Sequence, residues 1–113
     1  MTKLSSEPTH GCPVEATLEV IGGKWKVLIL YHLSTNGTHR FAELRRRITG
    51  VSERMLTQQL RELERAGIVQ RQVFPEVPVK VEYSLSHYGT TLQPILDVLS
   101  VWGSNHLNRS KPS

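Results

Sequence analysis

Residues 52–65 read SERMLTQQLRELER, and this stretch decides the fold. Spaced as a helix, Leu56, Leu60 and Leu63 recur at i, i+4 and i+7, with Met55 and Gln59 at the margin of the stripe. Arg54, Thr57, Gln58, Arg61 and Arg65 collect on the opposite side. The first face suits burial in a core. The second carries three guanidinium forks, an amide and a hydroxyl, the groups that reach base edges and phosphates in a DNA major groove. A charge-rich face alone fits a solvated surface helix equally well. Here Glu62 and Glu64 fall to either side and the centre of the exposed stripe is basic, so the expectation is a recognition helix. Ser52 serves as its N-cap, and Glu53 stands in its first turn.

Working upstream, residues 41–48 suit a shorter helix that Gly50 breaks. Two helices joined by a tight turn, the second amphipathic and basic outward, make a helix-turn-helix. Arg45, Arg46 and Arg47 run along the first of them, where positioning helices clamp the DNA backbone; a solvated basic face is the alternative. Asn36-Gly37 marks a turn, and His39-Arg40 suits a very short strand. Residues 24–34 are apolar on most sides and predict a central core helix containing Trp25. Before it, Cys12 caps a short helix that starts at Pro13, carries Glu15 in its first turn and Leu18 and Ile21 as contacts, and stops at Gly22-Gly23.

Downstream, Gly67 closes the recognition helix, and strands follow at about residues 69–74 and 79–85. In the second strand Val79, Val81, Tyr83 and Leu85 alternate with Lys80, Glu82 and Ser84. The linking PEVP at residues 75–78 predicts a long hairpin tip stiffened by two prolines. A hairpin in this position is a wing, and its Arg71 and Lys80 suit contacts to the backbone or minor groove. The last helix starts at Ser86 or near Thr91 and ends about residue 107, with Pro94 near its start. Leu92, Ile95, Leu96, Leu99 and Trp102 form one stripe, widened by Val98 and Val101. A terminal helix needs roughly a 100°-wide apolar arc for its own core. The excess implies a homodimer whose interface draws on those five residues and on Leu18, the alternative being a helix fully buried in one chain. The expected fold class is mostly α with a small β-hairpin: a winged helix-turn-helix with N- and C-terminal dimerisation helices.

Composition agrees. The chain has 113 residues and a formal net charge of +4, which suits one domain with a polyanionic partner. Residues 1–11 and 108–113 read as loose tails around a single domain over 12–107. No apolar run is long enough to span a membrane, and no secretory leader is evident, so the expectation is cytoplasmic and nucleoid-associated. Cys12 is the one cysteine, which excludes an intrachain disulfide and a thiol-rich metal site. The five histidines are dispersed, and only His10 beside Cys12 offers a ligand pair, so no metal or cofactor is expected. His39 is a loop histidine or a phosphate contact. Cys12 is a small structural hydrophobe or a reactive thiol: a helix start commonly raises thiol reactivity, while Glu7 and Glu15 nearby in sequence oppose it.

These residues together resemble the HxlR-type transcriptional regulators, small winged-helix proteins related to the MarR group. The likeness rests on an ordered series: Cys12-Pro13, IGGKW at 21–25, RFAEL at 40–44, SERMLTQQLRELE at 52–64, AGIV at 66–69, FPEVPVKVEYSL at 74–85 and LDVLSVWG at 96–103. The resemblance implies a bacterial dimer on palindromic operator DNA, some members responding to electrophiles or oxidants through a cysteine near the N-terminus, where Cys12 stands. The expected function is a sequence-specific regulator, a repressor more readily than an activator, with Ser52, Arg54, Thr57, Gln58, Arg61, Arg65, Arg40, Arg46, Arg71 and Lys80 at the DNA. A ligand-responsive regulator with a structural Cys12 is the alternative. A thiol enzyme lacks a Cys-x-x-Cys or a partner constellation. A winged helix that binds only protein would waste the basic face.

Overall fold

The computed structural model describes residues 11–109. The expected N-terminal tail up to residue 10, His10 included, and residues 110–113 lie outside them. The elements run α1 (Pro13–Ile21), α2 (Lys24–Asn36), α3 (Phe41–Arg47), α4 (Glu53–Arg65), β1 (Val69–Phe74), β2 (Lys80–Leu85), a 3-10 turn (Gly89–Leu92) and α5 (Gln93–Arg109). This is the expected mostly helical chain with one antiparallel hairpin. The last helix takes the later of the two expected starts, after the 3-10 turn, and ends at Arg109, close to the expected end. Pro94 therefore lies in its first turn, where a missing N–H costs no intrahelical bond. Among the described residues, no helix is long and apolar enough to cross a membrane.

The core forms where α2, α3 and α4 meet. Ile29, Leu30 and Leu33 of α2 are buried with Leu44 of α3, Leu56, Leu60 and Leu63 of α4, and Ile48 and Val51 between the last two helices. α2 is thus the central helix its composition predicts. Its N-terminal part also packs Trp25, Val27 and Leu28 partly against the cluster.

The exit from α4 is built by its backbone. Ala66 is the last αR residue, and Gly67 follows at φ 76°, a left-handed conformation that glycine adopts without strain. The Gly67 N–H donates to Glu64 O and the Ile68 N–H to Leu63 O, both at 3.0 Å, so a Schellman motif satisfies the terminal carbonyls. Ser86 then ties the end of β2 to this turn: its Oγ donates to Gly67 O at 2.6 Å and accepts from the Gly89 N–H at 2.9 Å.

β1 and β2 pair in register, Val69 opposite Leu85, Arg71 opposite Tyr83 and Phe74 opposite Lys80. His39 adds a bridge on the outer side of β2, exchanging two backbone hydrogen bonds with Tyr83 at 2.7 and 2.9 Å. The expected short strand at His39-Arg40 shrinks to that single residue, because Arg40 begins the cap of α3. β2 starts at Lys80, one residue later than expected. Its residues are all half-buried, so the alternation of its sequence does not become one buried and one solvated face. The flanking His39 covers part of the sheet edge, while Tyr83 and Leu85 pack against the core.

Two outcomes test this packing. A methyl at position 89 would collide with the Ile68 backbone carbonyl, which cannot rotate away. Gly89→Ala is therefore expected to lower stability by about 2 kcal/mol, read from the urea midpoint. The second concerns His32 on α2, whose Nδ1 is buried with no hydrogen-bond partner among the described residues. Burial holds its imidazole below the ordinary value of 6.5, Arg47 and His39 adding repulsion while Asn36 works the other way. The unfolded chain takes up this proton first. Stability present above the ordinary histidine value is thus lost as pH falls through the lowered folded value. His32→Gln should flatten that limb of the urea midpoint plotted against pH.

Candidate DNA-recognition surface

α4 is oriented from both ends and from below. Ser52 Oγ accepts the Met55 N–H at 3.0 Å and starts the helix, leaving its hydroxyl proton free to donate. The leucine stripe is buried, so the opposite face points to solvent. Arg54, Gln58, Arg61 and Arg65 are exposed there and Thr57 partly so. Thr57 Oγ1 donates to Glu53 O at 2.8 Å, which commits its proton within the helix and presents its methyl. These five residues form one surface, as the periodicity implies.

One acidic residue departs from expectation. Glu62 does not stand aside but lines the same surface as Arg54, Gln58, Arg61 and Arg65. Its charge is already answered. Lys26 Nζ of α2 lies 2.7 Å from Glu62 Oε1, and Gln58 Nε2 donates to Glu62 Oε2 at 3.3 Å. The Lys26 hydrogen bond, with Gln58 second, holds the Glu62 carboxyl below the usual carboxylate range. Sequence reading missed Lys26 altogether. The Gln58–Glu62 spacing of i, i+4 was the available signal, but a partner from another helix has none.

The hairpin brings Arg71 to α4. Arg71 and Tyr83 share a cleft of about 350 Å³ with Thr57, Leu60, Arg61 and Glu64. Lys80 lies elsewhere: the register sets it on the opposite face of the hairpin from Arg71. Its Nζ sits 4.5 Å from the Phe74 ring centroid, 3.7 Å from Glu82 Oε2 and 3.9 Å from Glu76 Oε2. The two basic wing residues therefore do not form one contact surface, and Lys80 is neutralised within the wing. Arg40 is exposed at the N-cap of α3, its backbone N–H bonded to Glu43 Oε1 at 2.7 Å, and Arg46 is exposed in the last turn of α3. Of the two readings of His39 the phosphate contact does not fit: the residue is 3 % exposed, with Nδ1 2.6 Å from Gly37 O.

A second surface is apolar. The stripe expected at a dimer interface divides. Leu96 is buried in the core at 1 % exposure and Leu92 packs against it, so these two serve the subunit's own interior. Leu18, Ile95, Leu99 and Trp102 remain exposed, joined by Val14, Val98, Val101 and Leu107. Trp102 is 66 % exposed and stacks on His106 one turn further, with centroids 5.0 Å apart. Cys12 is a free, exposed thiol at the N-cap of α1, and its side chain makes no capping bond. Among the described residues no three His, Cys, Asp or Glu side chains gather into a metal site.

Known proteins share this arrangement. Residues 20–111 match the HxlR-like helix-turn-helix family. The HTH-type transcriptional regulator YtcD of Bacillus subtilis (strain 168), itself uncharacterised, is 59 % identical over 100 residues, covering 88 % of this chain and 79 % of YtcD. A structure of the redox regulator HypR in its oxidised form superposes with a TM-score of 0.79 at 54 % identity, covering 83 % of this chain and 96 % of that one. Diamide-treated YodB from B. subtilis superposes with a TM-score of 0.68 at 39 % identity, covering 85 % and 95 %. With a helix-turn-helix, a hairpin beside it and an arginine-lined outer face on α4, the chain belongs to the HxlR-like helix-turn-helix family and is a DNA-binding transcriptional regulator rather than an enzyme.

Proposed function

We propose that the protein acts as a two-fold homodimer on a palindromic operator, represses by occluding it, and is switched through Cys12. The observation that carries the reading is the pairing of two surfaces on one rigid subunit: the basic face of α4 and the unpartnered apolar faces of α1 and α5. Each subunit offers one α4 to the major groove, and a dimer sets two of them about one helical turn apart, roughly 34 Å. Arg54 and Arg61 suit bidentate contacts to guanine, Gln58 suits adenine, and the Thr57 methyl suits thymine. Ser52, Arg65, Arg40, Arg46 and Arg71 suit phosphates, each displacing counterions, so affinity falls steeply with salt. Lys80 contributes less, being engaged by Glu76, Glu82 and Phe74.

Exposure of so many large apolar side chains on two helices is costly in water, and a second copy is the partner that covers them. Support for the switch comes from the exposed thiol at the N-cap of α1 and from the likeness to HypR and YodB. Two Cys12 thiols of a dimer give up two protons and two electrons to diamide, which is reduced as their sulfurs join. With a peroxide, one thiol instead becomes a sulfenic acid. Either product changes the contacts of α1 and with them the separation of the paired α4 helices.

Gel-shift titration of Arg61→Ala should show operator binding weakened by about 1–3 kcal/mol. Unchanged affinity for Arg54→Ala, Gln58→Ala and Arg61→Ala together would remove α4 from the interface. Leu99→Glu, in sedimentation equilibrium, should turn a dimer into a folded monomer that no longer shifts operator; a wild-type monomer that still does so sinks the dimer. Diamide should change operator affinity of the wild type and leave Cys12→Ser as it was. No response in either protein ends the role of Cys12.

A further inference from the structure

The geometry points to Lys26 as a positioning residue for base selection: from α2 it fixes, through Glu62, the orientation in which Gln58 meets the DNA. This rests on the reading of α4 as the base-reading helix and names a residue outside the reading face. The chain of contacts is short. Lys26 Nζ and Glu62 Oε1 are 2.7 Å apart, with side chains 16 % and 35 % exposed, so the pair is only partly open to water and screened less than a surface pair. The other carboxylate oxygen, Oε2, accepts from Gln58 Nε2 at 3.3 Å.

Two consequences follow from the chemistry of these groups. A carboxylate only accepts, so whichever end of the Gln58 amide faces Glu62 must be the nitrogen. That choice leaves the amide oxygen and the second N–H together for one partner, the donor–acceptor pair that matches the adenine edge. The second consequence is electrostatic. Glu62 shares the surface that α4 presents to phosphates, and an unpaired carboxylate there would repel them. Lys26 answers that charge from below, without displacing any arginine from the outer face. Remove Lys26 and the nearest cation that already acts on Glu62 from its own helix is Arg65, one turn further on. Glu62 then turns toward Arg65, which takes the acceptor away from Gln58 and a cation away from the backbone.

The test uses full-length protein and a pool of duplexes randomised across two half-sites, followed by a panel of the selected site with single base-pair changes. Gln58→Ala should lower discrimination at one base-pair step by about tenfold. Lys26→Met should lower discrimination at that same step by roughly threefold, with other steps retained, and Lys26→Arg, which can still donate to Glu62, should restore it. In a Gln58→Ala background, Lys26→Met should change that step no further. Urea midpoints identify any variant that has merely lost its fold. Lys26→Met with wild-type discrimination, or an equal loss with and without Gln58, overturns the relay. Gln58→Ala with an unaltered base profile also overturns it, yet leaves base reading by Arg54 and Arg61 intact. Only if those two arginines as well prove silent does the reading of α4 itself fail.

Discussion

Burial of the Leu56, Leu60 and Leu63 stripe against α2 is the constraint on which the rest of the molecule depends. A helix that hides one face in a close-packed core has no rotational freedom left, so the opposite face is aimed without further contacts. Each leucine is essentially inaccessible to water, and burying a side chain of that size stabilises by about 1.5–3 kcal/mol. Orientation of the arginines is thus a by-product of folding rather than a separate cost. The arrangement also explains how α4 tolerates so much like charge. Its basic groups face solvent, and Glu62, the carboxylate among them that pairs with another helix, is held by Lys26.

The hairpin inherits its position from the same helix. The Schellman turn at Gly67 sends the chain directly into β1, and Ser86 bonds the far end of β2 back to that turn. A hairpin anchored at its base in this manner cannot swing relative to α4 without breaking the hydrogen bonds of that turn. This is why Arg71 and Tyr83 share a cleft with Arg61 although they are distant in sequence. Strand parity then does the sorting: residues one step apart face opposite ways, so Arg71 turns toward α4 while Lys80 turns toward Phe74 and two glutamates.

What could be read from the chain divides along physical lines. Local periodicity and turn chemistry are encoded over a few residues, and α4, its Ser52 cap, its Gly67 stop and the extent of β1 all emerged from them. Most of the exposed basic face of α4 followed from the same spacing. The pairing of Lys26 with Glu62 did not, because it joins helices whose approach is set by the core and leaves no pattern in either one. The choice between the two readings of His39 also needed tertiary structure, because its burial comes from pairing with a distant strand. Leu96 and Leu99 look alike on a helical wheel, yet one is buried and the other is not. An apolar arc shows that a helix must be covered, and only packing shows which part the subunit covers itself.

That last distinction bears on how the two surfaces work together. α2 packs on both α4 and α5. In the proposed dimer, the exposed part of α5 meets its mate while the buried part, through Leu96, is fixed to the same core that holds α4. The separation of the two reading helices is then determined by rigid packing rather than by tether length. If that dimer forms through α1 and α5, a small rotation at the apolar interface would become a larger displacement at the α4 helices, each rigid subunit acting as a lever. The exposed Cys12 thiol at the start of α1 would stand near the pivot of the proposed dimer, where a change in contact would alter that spacing. The same chemistry placed on the wing would alter one contact and leave the distance between half-sites untouched.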